Sequence, residues 1–407
     1  MRILHTDIAV IGGGVSGSIA AISAARQGKR VFLAENLNIL GGMLTAGGLA
    51  YGMDYIGKGG LCSEFREKLM ERGAYRLIHE RPLCFMLDPA AAAQLLEELA
   101  LSAGVEIGYQ HCLKDVKKEN SRIASAVFST PGGEVQVCAG QWIDATGDGI
   151  LARMAGCGYL SGQEGTGKHQ PASVLAVVSG VSPDYQYNFT MKDKEILFDL
   201  LQKAGHTCSY QKPLLKPMPL GGLWTLAVHH GYDVDPGDPA SVSEAYRRGK
   251  EETWHAVQCL RTLPGWEKLT VAAFSAYLGQ RDSFQIRGKY ILTEKDLVEG
   301  SVFPDGICTV HQPVDIHALH AKESFGCTTA GVKMQPYQIP LAALQAADVE
   351  NLSVCGRCLS GDFVAQASYR VAGNAMATGE AAGYAAATGC TGPAAKAYMQ
   401  AQGYELA

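Results

Sequence analysis

Three glycines and one acid carry the clearest chemistry in the sequence: Gly12-x-Gly14-x-x-Gly17, followed by Glu35. In this spacing the first glycine permits a tight turn and the second lets a backbone approach a pyrophosphate. The third lets a helix pack closely on a strand. A helix opening at Ser16 offers free N–H groups and partial positive charge to phosphate. An acid about twenty residues beyond the fingerprint can accept from ribose hydroxyls. The pattern predicts a bound dinucleotide; a glycine turn that serves packing alone is the competing reading. Cys355-Gly356-Arg357-Cys358 has the spacing of a redox dithiol, yet small packing thiols around a useful Gly-Arg pair explain it more simply. The run Gly162 to His169 nearly spells a P-loop but lacks the hydroxyl residue that would hold Mg²⁺, so it reads as a loop. His229, His230, His311, His317 and His320 show no compact metal-ligand spacing, and no metal is expected. Asp315-x-His317 is the one close acid–histidine pair among them.

The elements that must position these groups follow from pattern. Ile8–Ile11 reads as a buried strand, 16–27 as a helix closed by Gly28, and Val31–Ala34 as a second strand ending at Glu35, a complete βαβ opening. Residues 41–83 are Gly-rich and irregular, with one helix over 63–72. Asp88-Pro89 predicts a capped helix running to Ser102. Residues 105–137 alternate, with a turn at Pro131-Gly132-Gly133, and predict an antiparallel meander. A short strand over 142–145 precedes Thr146-Gly147-Asp148-Gly149. Between 160 and 340 lie 12 of the 16 prolines and no βαβ alternation, which marks an inserted domain. The α/β signal returns with a strand over 352–355 and a helix over 375–387. The expected fold is α/β: a Rossmann-like nucleotide-binding domain (parallel sheet plus β-meander) made of 1–50, 84–160 and 340–407. An α+β substrate domain of 51–83 and 161–339 is inserted into it.

Composition bounds the function classes. A chain of 407 residues with 47% hydrophobic residues has room for two domains and a sizeable core. A net charge of −5 without any Lys/Arg-rich run argues against nucleic acid as a partner. No stretch reaches the ~18 apolar residues of a membrane span, and no signal-peptide pattern opens the chain. Twelve scattered cysteines read as reduced thiols, giving a cytoplasmic expectation. The expected partner is a small-molecule substrate; homo-oligomerisation and the electron partner stay open.

The chain resembles the FAD-dependent oxidoreductases of the glutathione reductase/succinate dehydrogenase superfamily. It looks most like a bacterial FAD-dependent oxidoreductase family that includes xanthan-lyase-associated members. The resemblance runs in order through the fingerprint, Gly41 to Gly48, Leu87-Asp88-Pro89, Ile143 to Gly149, Tyr337-Gln338-Ile339-Pro340, Cys355 to Ser360 and the helix region after Arg370. It implies that the dinucleotide is FAD, held without a covalent bond because no histidine lies in 41–48. It implies that Gly12, Gly14, Ser16, Gly17, Glu35, Gly41, Gly42, Met43 and Leu44 surround the cofactor, with Leu113 holding adenine through its backbone. Thr146 and Gly147 would line the ADP part, and Arg357 would serve the cradle. Asp362 would take a ribityl hydroxyl, though a loop cap explains it too. Asn374, Ala375 and Met376 would bring a helix N-terminus to the flavin. In the segment from Leu278 to Tyr290, Asp282 and Ser283-Phe284-Gln285 depart from the family's pattern while Arg281 keeps to it. The resemblance makes His317, Arg281 and Arg370 the catalytic candidates in a dehydrogenase or reductase that exchanges hydride at flavin N5. A local loop histidine and an interdomain salt bridge compete for His317 and Arg281. An FAD monooxygenase and an electron-transfer subunit are the alternative functions.

Overall fold

The computed structural model describes residues 2–78, 83–323 and 326–406. Strand β1 (Arg2–Ile11) runs parallel to β2 (Val31–Ala34) on one side and to the long β6 (Gly133–Asp144) on the other. Its last four residues are all apolar because both faces of the strand are covered at that end. Beyond β2 lies β3 (Glu106–Gly108). Beyond β6 lie β5 (Arg122–Thr130) and β4 (Cys112–Glu119), giving the order β3-β2-β1-β6-β5-β4.

The meander and the strand expected over 142–145 are not separate. Strand β6 spans both: its first half pairs antiparallel with β5, and Trp142–Asp144 then pair in parallel with Leu352–Val354. One strand thus carries the meander and returns the chain to the tip of β1.

Helix α1 (Val15–Arg26) covers the sheet with small residues, all of 16–25 being buried. Against it packs α8 (Ala372–Thr388), where the first turn begins three residues before the expected helix and encloses Asn374. The two backbones meet through glycine. A side chain at Gly379 would begin 2.2 Å from the Ser16 carbonyl oxygen, and one at Gly383 2.2 Å from that of Ala20. Ser23 adds a hydroxyl bond to the Glu380 carbonyl at 2.8 Å. Helix α3 (Pro89–Ser102) closes another side; Asp88 accepts from the N–H groups of Ala90 and Ala91, with Pro89 in the first turn.

A second core forms under an antiparallel sheet of order β8-β9-β7-β10 (Leu214–Pro217, Trp224–Ala227, Ala176–Ser179, Thr270–Phe274). Helices α5 (Met191–Lys203) and α6 (Pro239–Leu260) supply Leu197, Leu201, Val257 and Leu260 to that core. The inserted unit is therefore α+β and centred on 176–274. Helix α2 (Gly60–Glu71) and the stretch from Ile307 to Leu344 instead share the main core through Leu61, Phe65, Ile307 and Ile339. The two units are stitched where Thr225 Oγ1 donates to the Gly48 carbonyl and the Ala276 N–H to that of Ala46.

Replacing Gly379 with valine should force α1 and α8 apart and lower unfolding stability by about 1–3 kcal/mol, the usual cost of overpacking. A denaturant titration with an unchanged midpoint would contradict this contact.

Candidate active site

The turn after β1 shows which glycine answers to the protein and which to a ligand. Gly12 has φ +98°, and a side chain there would start 2.7 Å from the Ala145 carbonyl oxygen. At Gly17 the first carbon would lie 1.9 Å from the Gly12 oxygen. Both positions are closed by backbone. Gly14 differs: its φ is −58°, and the nearest atom to an added carbon is 4.0 Å away. Nothing in the protein forbids a side chain at Gly14, so the requirement for glycine comes from what approaches it. Gly14 is also the N-cap of α1, with no side-chain cap and no acid in the first turn, leaving the helix N–H groups and positive pole free. Ser16 sits in that turn, with its hydroxyl close under Gly356.

The second glycine turn lies beside the first. Gly14 bridges Gly41, whose N–H donates to the Gly13 carbonyl at 2.8 Å. Gly42, Met43 and Leu44 then form a short 3₁₀ turn. Glu35, buried at the end of β2, accepts from the Gly13 N–H at 2.6 Å and the Leu37 N–H at 2.8 Å. Its Oε1 also accepts from the Tyr277 hydroxyl at 3.2 Å, a group of the kind that a ribose presents. A carboxylate has roughly four acceptor sites, so capacity remains. Leu113 follows the stretch that crosses Glu35, where the His111 N–H donates to the Glu35 carbonyl.

Asp144 organises the next wall. Burial raises its pKa against bonds from the Thr146 N–H and hydroxyl and the Ala152 N–H. Thr146 Oγ1 also accepts from the Ile150 N–H at the start of α4 (Ile150–Met154), and Gly147 sits under the Arg357 guanidinium. Open glycine, free helix pole and acceptor acid together fit the diphosphate and ribose of FAD.

Several of the residues expected at the cofactor also have partners within the protein. Asp362 caps α7 (Phe363–Tyr369), accepting from the Ala365 N–H at 2.7 Å and the Glu294 N–H at 2.9 Å, one bond on each oxygen, which leaves acceptor capacity for a ribityl hydroxyl. Arg357 pairs with Asp148 at 2.7 Å and reaches Ser283 at 2.8 Å, locking the 146–149 loop to the 281–287 segment. Asn374 and Met376 are buried; the Asn374 side chain faces Cys308, and Ala375 is half-buried. The N-terminus of that helix is packed against the Asp54 carbonyl, 1.8 Å from an imagined side chain at Gly373. Cys355 and Cys358 are fully buried, and burial pushes the Cys355 thiol up to about 12, which removes the thiolate that redox chemistry needs. Tyr369 spends its hydroxyl on the Leu359 carbonyl.

The three catalytic candidates converge. Arg281 reaches the Pro171 carbonyl, Ser173 Oγ at 3.0 Å and His230 Nε2 at 3.1 Å. No carboxylate pairs with it among the described residues, so the expected interdomain salt bridge is absent. His317 lies 5.2 Å from His230 between ring centroids, and its Nε2 faces Asp315 at 3.4 Å. Arg370, with a side chain 7% exposed, donates to Gln170 Oε1 and to the Asp315 carbonyl. Asp315, half-buried beside His317 and Arg370, has a carboxyl held well below the usual range. Burial, then the Arg281 charge, lowers His317 to about 4, so its ring is neutral at neutral pH. Burial likewise lowers Arg370, to about 10. Buried nitrogens without a protein partner cluster here: His230 Nδ1, His317 Nδ1, Arg370 Nη1 and Gln170 Nε2. His230, Tyr210 stacked on it at 3.7 Å, and Gln170 were not singled out from sequence. Only the His229-His230 doublet signalled any of them.

The cluster adjoins the cofactor turn. Ser173 and Gly279 exchange backbone bonds at 3.0 and 2.8 Å, and Met43 Cε lies 3.2 Å from where a Gly279 side chain would begin. The departures from the family pattern have structural work. Asp282 accepts from His169 at 2.6 Å and the Gln170 N–H, and Ser283 donates to Asp148.

Comparison with known proteins supports the cofactor reading. A stretch of 132 residues is 34% identical to the thiamine thiazole synthase of Aeropyrum pernix, covering 31% of this chain and 44% of that one. The enzyme of the same name from Desulfosudis oleivorans is 33% identical over 126 residues, 31% of this chain and 46% of that one. The chain thus spans less than half the length of these curated relatives. Among solved structures, the flavin-dependent brominase Bmp2 superposes with a TM-score of 0.51 at 15% identity, over 98% of this chain and 83% of that one. That likeness shows the Rossmann-type flavoenzyme fold. No helix among the described residues is long and apolar enough to cross a membrane.

Gly14 and Gly17 should respond differently to substitution. Gly14→Val should lower the unfolding midpoint of FAD-free protein by no more than the modest cost of a poorer N-cap, and weaken FAD binding at least ~10-fold, or about 1.4 kcal/mol. Gly17→Ala should lower the midpoint itself. Equal FAD affinity for Gly14→Val and wild type in a fluorescence titration would refute the assignment. The model of the "FAD dependent oxidoreductase" family matches residues 7–395, nearly the whole chain, and this protein is a member of that family.

Proposed function

We propose that this FAD-dependent oxidoreductase is a dehydrogenase or reductase for a small organic substrate bearing an oxyanion next to a hydroxyl or carbonyl carbon. Bound FAD supplies the hydride acceptor or donor. The observation that carries the reading is the Arg281 guanidinium, half-buried and without a carboxylate in salt-bridge reach among the described residues. A cation in such a place is costly unless an anion joins it.

Tautomers follow from the neighbours. His230 Nε2 accepts from Arg281, so in the neutral ring the proton sits on Nδ1, and that unpartnered nitrogen is a donor. His317 Nε2 faces the Asp315 carboxylate and carries the proton there, which leaves Nδ1 as a bare acceptor. The free groups are therefore donors at His230, Arg370 and Gln170 and one base at His317. Arg281 and Arg370 would hold the oxyanion. His317 Nδ1 would take the hydroxyl proton as hydride leaves the same carbon, with Asp315 steadying the imidazolium formed. In the reverse direction it returns the proton. Tyr210, stacked on His230, and the Ser173–Gly279 bridge exclude water and hold the cluster against the cofactor turn.

Anaerobic mixing of the holoenzyme with hydroxy acids and with their methyl esters tests this. The acids should bleach the flavin spectrum and the esters should not; equal bleaching by both would remove the role of the arginines. Oxygen-dependent hydroxylation of the substrate would mark a monooxygenase instead. Arg281→Met should lower kcat/KM by at least about 100-fold, equivalent to ~2.7 kcal/mol of charge-assisted binding. For His317 the base must be unprotonated, so kcat/KM should stay level from pH 6 to 8 and fall as pH drops through about 4. In His317→Gln that acid limb should vanish. An acid limb centred near 6.5, the ordinary histidine value, would contradict a neutral, desolvated ring.

A further inference from the structure

Away from the flavin site, His206, His255 and Cys259 bring one ligand atom each to within 4.8 Å of one another. His255 and Cys259 stand one turn apart on α6, and His206 sits buried just past the end of α5. The spacing between atoms is informative. Around a tetrahedral zinc ion, with Zn–N of about 2.05 Å and Zn–S of about 2.3 Å, nitrogens lie ~3.3 Å apart and a nitrogen ~3.6 Å from a sulfur. Here the two Nδ1 atoms are 2.9 Å apart and Cys259 Sγ is 3.6–3.8 Å from the His255 ring nitrogens. The third side, His206 to Cys259, lies within 4.8 Å, so opening the histidine pair by a few tenths of an ångström and drawing Cys259 towards His206 would give the coordination triangle.

We infer that these three side chains bind a divalent ion of the zinc class, as an N₂S site whose fourth position opens to a shallow groove of ≈ 480 Å³. A second observation supports this. His206 Nε2 is buried and has no hydrogen-bond partner, yet Glu252 Oε1 lies 4.0 Å from it. At 4.0 Å the carboxylate does not yet bond that nitrogen, but a shift of about 1 Å on metal binding would let it accept the Nε2 proton and leave the near nitrogen bare. With the proton on Nε2, His206 Nδ1 becomes a ligand.

The placement gives the ion a task. Glu252 also accepts from the Ser209 N–H and hydroxyl, and Ser209 Oγ accepts from the His230 N–H. The ion would clamp the 206–210 loop to α6, and that loop carries Tyr210, which stacks on His230. The inference concerns a structural clamp and stands without the proposed substrate.

Holoenzyme stripped with a chelator and dialysed should take up one Zn²⁺ per chain by elemental analysis. Co²⁺ in its place should show tetrahedral visible bands and a thiolate-to-cobalt charge-transfer band. Cys259→Ser, at a half-exposed position, should lose the charge-transfer band and lower Zn²⁺ affinity at least tenfold while keeping its FAD absorbance. His255→Gln should do the same. Wild-type protein that retains no stoichiometric zinc overturns the inference. So does a charge-transfer band that survives in Cys259→Ser.

Discussion

Everything at the cofactor site hangs on how tightly the backbone closes around the end of β1. The Ala145 carbonyl presses on Gly12, the Gly12 carbonyl presses on Gly17, and the Ser16 carbonyl presses on Gly379. Three segments distant in sequence thereby pin the start of α1 to within van der Waals tolerance. Gly14 alone is left facing open space at the uncapped helix pole. Interiors packed to crystal density transmit such constraints without slack, so the cradle is formed before any ligand arrives. Preorganised donors of this kind bind phosphate without first rearranging.

The same rigidity serves the second cluster. Arg281, His230, His317 and Arg370 come from four separate stretches, and their positions are set by neighbours that have no part in chemistry. Asp282 holds His169 and the Gln170 backbone, Arg357 ties Asp148 to Ser283, and Gln170 in turn meets both His317 and Arg370. Two arginines and one ionised aspartate leave a local excess of positive charge beside neutral imidazoles. Desolvation keeps those imidazoles neutral, the state that the proposed base at His317 requires.

How much of this was legible in the sequence depended on range. The fingerprint, Glu35, and the Asp88-Pro89 cap were readable because their physics is local: turn, pole, period and cap lie within a few residues of each other. The inserted unit showed in its prolines, but its edges did not, since α2 and 307–344 reveal their allegiance only by packing into the main core. Asp362 illustrates the limit. An acid before a helix is ambiguous in sequence, and only the arrival of the Glu294 N–H shows that its two oxygens tie two segments together. Arg281, His317 and Arg370 were suggested by resemblance, while Tyr210 against His230, and His206 against the His255–Cys259 turn, were hidden because those partners are tens of residues away.

The most direct test of the account is the flavin content of the purified chain after denaturing extraction, followed by reconstitution. One FAD per chain, released on unfolding and regained on titration with free FAD, is the predicted result. A colourless protein that takes up no FAD would contradict the reading of the turn at Gly14, and with it the placement of every group argued to face the cofactor.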